Sequence, residues 1–206
     1  MIHHHIDLGS VLRGTVCALY SNLVTRPTGV AVRTEIERAI AEAGGRTVTV
    51  IDFSQVTLLD FSCADEIVAK LMLRSVEDAA RAIEARHEAH RAAGGAPEGY
   101  FVFRGICDRH LDAIEAVLER HGLAIVALLD GRPQLVGEVA AEERAAWDRL
   151  RELGAAEAGA LGDDAEPLLA RLAARRLVMP VDGGWAAVGA RLEIAPEPGP
   201  ASGKAA

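Results

Sequence analysis

The sequence predicts an α/β protein, a mixed sheet with helices packed on it, followed by a smaller helical unit. Three observations carry this. Residues 47–53, TVTVIDF, form a short apolar run between Gly44-Gly45-Arg46 and Ser54-Gln55, the pattern of a strand buried on both faces and therefore parallel and central. Directly after it, Ala64, Ile67, Val68 and Leu71 recur at helical spacing, so a helix beginning near Ser62 lays an apolar stripe on the sheet. Strand and helix patterns then alternate until about Glu138, where helical periodicity takes over.

The elements follow in order. His3, His4 and His5 sit on a strand and alternate faces, so they cannot converge on a metal and read as a polar edge. "TGVAVRTEIERAIAEAGG" carries Val30, Ile36 and Ile40 on one side, a helix entered near Thr28-Gly29 and stopped by Gly44-Gly45. After the 47–53 strand and the Ser62 helix, "GYFVFRGI" reads as a strand. "DRHLDAIEAVLERHG" reads as a helix capped by Asp108 and ended at Gly122. "LAIVALLDGRPQLVGEV" reads as strand, turn and strand. In the segment "EARHEAH", Glu84, His87, Glu88 and His90 miss the HExxH spacing by one residue, which leaves a solvated helix rather than a metal site.

Composition narrows the function classes. With 206 residues, half of them hydrophobic but only 4% aromatic, the chain can bury one substantial aliphatic core and a second small one. A net charge of −8 argues against a sequence-independent grip on nucleic-acid phosphates. Cys17, Cys63 and Cys107 are odd in number, far apart and outside any CxxC arrangement, which fits reduced thiols. No run approaches the roughly 20 apolar residues of a membrane span, and no basic leader opens the chain. The expectation is a cytoplasmic protein with no membrane partner, no metal and no cofactor.

The stretch "DFSQVTLLDFSCADEIVAKL" carries a resemblance. A strand ending in Asp52-Phe53-Ser54, a short step, and Asp60-Phe61-Ser62-Cys63 opening a helix resemble the heart of a STAS domain, the module of bacterial anti-sigma-factor antagonists and sulphate transporters. The variant is closer still to a STAS-like bacterial family of unassigned function, and the match extends loosely from residue 1 to about 138. The resemblance implies a STAS-like mixed sheet with helices and a regulatory role. It also implies that Ser62, at the matching position, is phosphorylated by a partner kinase, with the charge selecting the bound protein. The sequence departs from the pattern in having Cys63 where a glycine usually follows the serine, and in adding Asp65 and Glu66.

The residues of this turn also have plain readings. A helix N-terminus attracts phosphate, yet Ser62 can equally be an N-cap with Asp65 completing a capping box. Cys63 in the first turn is open to thiol activation, but no histidine base is near it in sequence, so catalysis is not expected. The turn is therefore read as a recognition surface of Asp60, Ser62, Cys63, Asp65 and Glu66. Upstream, Arg26 and Thr28 in "SNLVTRPTG" are a candidate anion or nucleotide site, or an ordinary Pro-Thr-Gly turn.

Three units are expected: a STAS-like domain over 1–138, a second domain over 139–193, and a Pro-, Gly- and Ala-rich tail over 194–206 read as disordered. In the second, "EERAAWDRLRELG" places Ala145, Leu150 and Leu153 toward a core with Trp147 at its edge. A short helix ends at Gly162, a third begins near Asp164 with Leu168, Leu169, Leu172 and Ala173 on one face, and a hairpin turns at Asp182-Gly183-Gly184. Three helices and a hairpin look like a winged helix-turn-helix. Its third helix opens on Asp163, Asp164 and Glu166, and its wing has no Lys or Arg, so protein contact is favoured over DNA contact. The leading expectation is a non-enzymatic bacterial regulatory protein with a protein partner, a kinase or an anti-sigma-like factor. The alternative is a DNA-binding transcriptional regulator using Arg171, Arg175 and Arg176. Oligomeric state is not legible.

Overall fold

The computed structural model describes residues 2–15, 21–88, 98–162, 164–190 and 192. The tail, Cys17, Asp163 and His90 lie outside these, as do the side chains of Glu84, His87 and Glu88. The chain is α/β with a mixed five-stranded sheet. Its strands are β1 (Ile2–Asp7), β3 (Arg46–Asp52), β5 (Glu98–Arg104), β6 (Ala124–Leu129) and β7 (Arg132–Gly137), and they lie in that order across the sheet. The first four are parallel, and β7 returns antiparallel through a tight turn at Asp130-Gly131, both with positive φ, the geometry that Asp-Gly turns favour. β3 is an interior strand, next to the edge strand β1 rather than at the middle of the sheet, and is buried along nearly its whole length.

The connections are α1 (Leu8–Thr15) and α2 (Arg26–Ala43), then the helical run α3 (Phe61–Ala64), a π turn (Asp65–Ala69) and α4 (Lys70–Glu88), then α5 (Asp108–His121). Two two-residue strands, β2 (Asn22–Leu23) and β4 (Leu58–Leu59), pair in parallel beside the sheet. Because each crossover steps the same way along the sheet, right-handed connections send every helix to one face. That face is one core, in which Ile51, Phe53, Phe101, Phe103 and Ile125 meet Leu12, Ile36, Ile67 and Val117.

The same topology leaves the other face of the sheet bare, and strand alternation makes it apolar: Val48, Val50, Tyr100, Val102, Val126 and Leu135. The C-terminal segment covers it. α6 (Ala141–Leu153), a 3-10 turn (Ala158–Leu161), α7 (Ala165–Ala174) and the hairpin β8 (Val178–Val181) and β9 (Gly184–Ala187) contribute Trp147, Leu150, Leu169, Leu172 and Met179 to this second core. The boundary expected at residue 138 falls just beyond β7, and the core crosses it.

Several local expectations are corrected. Trp147 is fully buried rather than at an edge, and its Nε1 donates to the Leu177 carbonyl at 2.9 Å. Ala145 and Leu153 are exposed, because Glu143, Trp147 and Leu150 define the inward face of α6 instead. The second C-terminal helix is a single 3-10 turn. α5 begins after Cys107, so Asp108 is its first residue rather than its cap, and it ends at Gly122 in the left-handed region as expected. α1 had no counterpart in the sequence reading.

Candidate functional site

The turn singled out by sequence is assembled from three places. The chain entering it is held by β2 and β4, with Asp60 N donating to the Leu23 carbonyl at 2.8 Å. Asp60, not Ser62, is the N-cap: it is extended, and its Oδ1 accepts from Cys63 N at 2.8 Å. The Ser62 hydroxyl donates to the same carboxylate at 2.9 and 3.2 Å. The capping box of Ser62 and Asp65 is thus replaced by an aspartate cap braced by the serine, since a β-region aspartate two residues earlier reaches the free N–H groups first.

α2 closes the second side. Its N-cap is Thr25, three residues ahead of the expected entry at Thr28, and Pro27 sits in its first turn. Gly29 makes the close packing possible: a Cβ there would stand 3.0 Å from Glu66 Cβ and 3.1 Å from Cys63 Cα. The approach also lets Cys63 Sγ donate to the Thr25 carbonyl at 3.1 Å. Burial, followed by the Asp60 charge, pushes the Cys63 thiol up to about 11, the opposite of an activated nucleophile. Thiol labelling of the folded protein at pH 7, mapped by mass spectrometry, should modify exposed Cys107 and spare Cys63 until the chain unfolds. Labelling of Cys63 at a rate like that of Cys107 would contradict this burial.

Asp65 and Glu66 do not lie on the surface. They are 7% and 1% exposed, and four cationic or ionisable side chains surround them. Arg26 Nη1 lies 3.1 Å from Asp65 Oδ2 and 2.7 Å from Glu66 Oε1. His121, at the end of α5, meets Asp65 Oδ1 at 2.8 Å. Arg33 Nε reaches Glu66 Oε2 at 3.3 Å, and Lys70 Nζ reaches its Oε1. Burial pushes the Asp65 carboxyl up, but His121 and Arg26 outweigh it and hold it below its ordinary range. Glu66 is held low in the same way, by Lys70 and Arg26 against burial. Both acids are therefore charged and internally neutralised.

The π turn explains how two adjacent acids share one arginine. Its i→i+5 pattern widens the helix, so neighbours are separated by less than the roughly 100° of an α-helix. Arg26 of the predicted anion site is thereby committed to carboxylates, although its side chain is 49% exposed. Thr28 N donates to the Thr25 hydroxyl at 3.4 Å, and the two hydroxyls are 2.9 Å apart. Beside the turn, Asp52 ties three strand ends together through His5 Nε2 at 3.1 Å, Arg104 Nε at 3.1 Å and Ser54 N at 2.9 Å.

What the turn leaves outside is apolar. Val24, Val30, Leu58 and Phe61 are four of the five large exposed hydrophobic side chains among the described residues. They lie after β2, on α2, in β4 and at the start of α3, and the Arg120 guanidinium stands 5.7 Å over the Phe61 ring. Phe61, Arg120, His121, Arg33 and Lys70 were missed by the sequence reading. Only the Glu66–Lys70 spacing of four signalled a contact; His121 is 56 residues from Asp65.

The arginines of the DNA alternative are engaged elsewhere. Arg171 Nε and Arg175 Nη1 meet Glu143 at 2.6 and 3.4 Å. Arg176 is buried over the Tyr100 ring at 5.0 Å and donates to its hydroxyl at 3.2 Å. Among the described residues no group of three His, Cys, Asp or Glu could hold a metal ion, and no helix is long and apolar enough to cross a membrane. Comparisons with family models, with curated proteins and with solved structures gave no match.

Proposed function

We propose that this protein is a non-enzymatic regulator that binds a protein partner through the turn around Ser62, with phosphorylation of Ser62 as the switch. The N-terminal segment acts as a STAS-like module, and the C-terminal helix–turn–helix–hairpin segment as a winged-helix-like companion. The observation that carries the reading is the exposure of Leu58 at 44%, Val24 at 38% and Phe61 at 37% around a turn whose backbone is otherwise fixed. Exposed apolar side chains gathered at one place mark interaction surfaces, whereas scattered ones do not. Rigid presentation lowers the ordering cost of binding.

The switch has a local basis. Phosphorylation removes the proton that Ser62 gives to Asp60 and sets a dianion beside that carboxylate, so the cap and the contact surface change together. An N-cap is worth about 1 kcal/mol, enough to disturb the turn without unfolding the protein. The DNA reading gains no support, because Arg171, Arg175 and Arg176 are each spent on internal partners.

The test is affinity purification of the chain from its native cell, with Phe61→Ser, Ser62→Asp and Ser62→Ala alongside. A partner held by the unaltered chain and by Ser62→Ala is expected to bind at least about tenfold more weakly to the other two, a loss of about 1.4 kcal/mol, with circular dichroism unchanged. A partner set indifferent to Phe61→Ser and Ser62→Asp would take the turn out of the interface.

A further inference from the structure

Between α2 and α4, over the N-terminal ends of β3 and β5, lies a half-open cavity of about 130 Å³. One of its lining residues is a glycine. In register, Gly99 of β5 pairs with Thr47 of β3, and alternation puts both on the helix-covered face with Phe101. A Cβ at Gly99 would meet nothing closer than the Phe101 ring at 3.8 Å, and Gly99 is not among the glycines with positive φ. Neither backbone nor packing demands glycine there. An unforced glycine inside a strand is a position kept open.

The walls define what fits. Ile40 of α2 and Leu71 of α4 face Phe101 across an apolar interior, while Thr47 and Ser75 supply hydroxyls. The Ser75 hydroxyl donates to the Gly99 carbonyl at 2.9 Å. Thr47 is 1% exposed, and its Oγ1 has no hydrogen-bond partner among the described residues, a state that costs about 1–3 kcal/mol unless something meets it. The charges at the mouth are already balanced: Glu37 pairs with Arg74 at 3.0 Å and Arg33 at 2.9 Å, and Asp78 with Arg81 at 3.1 Å.

We propose that this cavity is a binding site for a small neutral amphiphile, an aromatic or branched apolar body of ring size carrying one hydrogen-bonding group that meets Thr47. A dry apolar cavity of about 150 Å³ accommodates benzene, so a single ring is the right scale. The inference stands apart from the reading of the Ser62 turn.

Methyl-labelled full-length protein, titrated with phenol and separately with benzene, tests it. Phenol should shift the Ile40 and Leu71 methyl signals along a saturating curve. Thr47→Val should weaken phenol about five- to tenfold, the worth of one hydrogen bond, and leave benzene unchanged. Gly99→Val should abolish both, and Gly99→Ala, whose Cβ has room, should weaken both if the valine variant fails to fold. Non-saturating shifts, or shifts that survive filling at Gly99, would overturn the site; equal effects of Thr47→Val on phenol and benzene would overturn the assigned ligand chemistry.

Discussion

Trp147→Ala is expected to lower the unfolding free energy of the whole chain by about 3–5 kcal/mol, the cost of truncating a fully buried aromatic. The indole is 0% exposed, its N–H is bonded to the Leu177 carbonyl, and it shares a core with Val102 and Val126 of the central sheet. The loss should therefore reach the sheet rather than stay in the C-terminal segment. Urea denaturation followed by Trp185 fluorescence and by far-ultraviolet circular dichroism should show one coincident transition. Two transitions, with the sheet unaffected, would show that the segments fold independently. On the same reasoning, a fragment of residues 1–138 should expose the apolar face of Val48, Val50, Tyr100 and Val102 and associate in solution.

Glu66→Gln is expected to cost about 2–3 kcal/mol. Breaking a buried ion pair by removing one partner costs about 3–5 kcal/mol. The lower figure applies because Arg26 and Lys70, at 49% and 41% side-chain exposure, can be rehydrated. The pH dependence has a definite sign. Asp65 and Glu66 have folded pKa values below their ordinary 3.8 and 4.5, so their contribution is present above those values and is lost as pH falls through the depressed ones. Unfolding free energy measured from pH 7 down to pH 3 should therefore decline below about pH 4.5, and decline less in Glu66→Gln. A variant as stable as the unaltered chain, with the same acid limb, would show that the cluster contributes nothing net.

Much of this architecture could be read from local patterns because local patterns made it. The 47–53 strand, α5 ending at Gly122 and both hairpins each depend on a short periodicity closed by a turn residue. α1 failed that reading because "LGSVLRGT" follows β1 without a break and is only eight residues long, so its stripe of Leu8, Val11 and Leu12 spans little more than one turn. Two-residue strands such as β2 and β4 are below any period. The candidate site was legible as a place but not as an arrangement. Asp60 through Glu66 were named, yet Asp65 and Glu66 looked like surface acids because charged residues are seldom buried, and the partners that bury them come from α2 and α5. Trp147 was assigned an edge because nothing local reveals that a sheet face 20 residues upstream lacks a cover.

The π turn carries a mechanical consequence. One surplus residue between Asp65 and Ala69 fixes the rotational phase of every side chain that follows on α4. If that turn relaxed to ordinary α geometry, the helix beyond it would rotate by roughly 100°, swinging Arg74, Ser75 and Asp78 away from Gly99 and the cavity they line. Arg26 bridges Asp65 and Glu66, and Lys70 Nζ reaches Glu66 across the same turn, so that rotation would also part the two acids from the cations that now neutralise them.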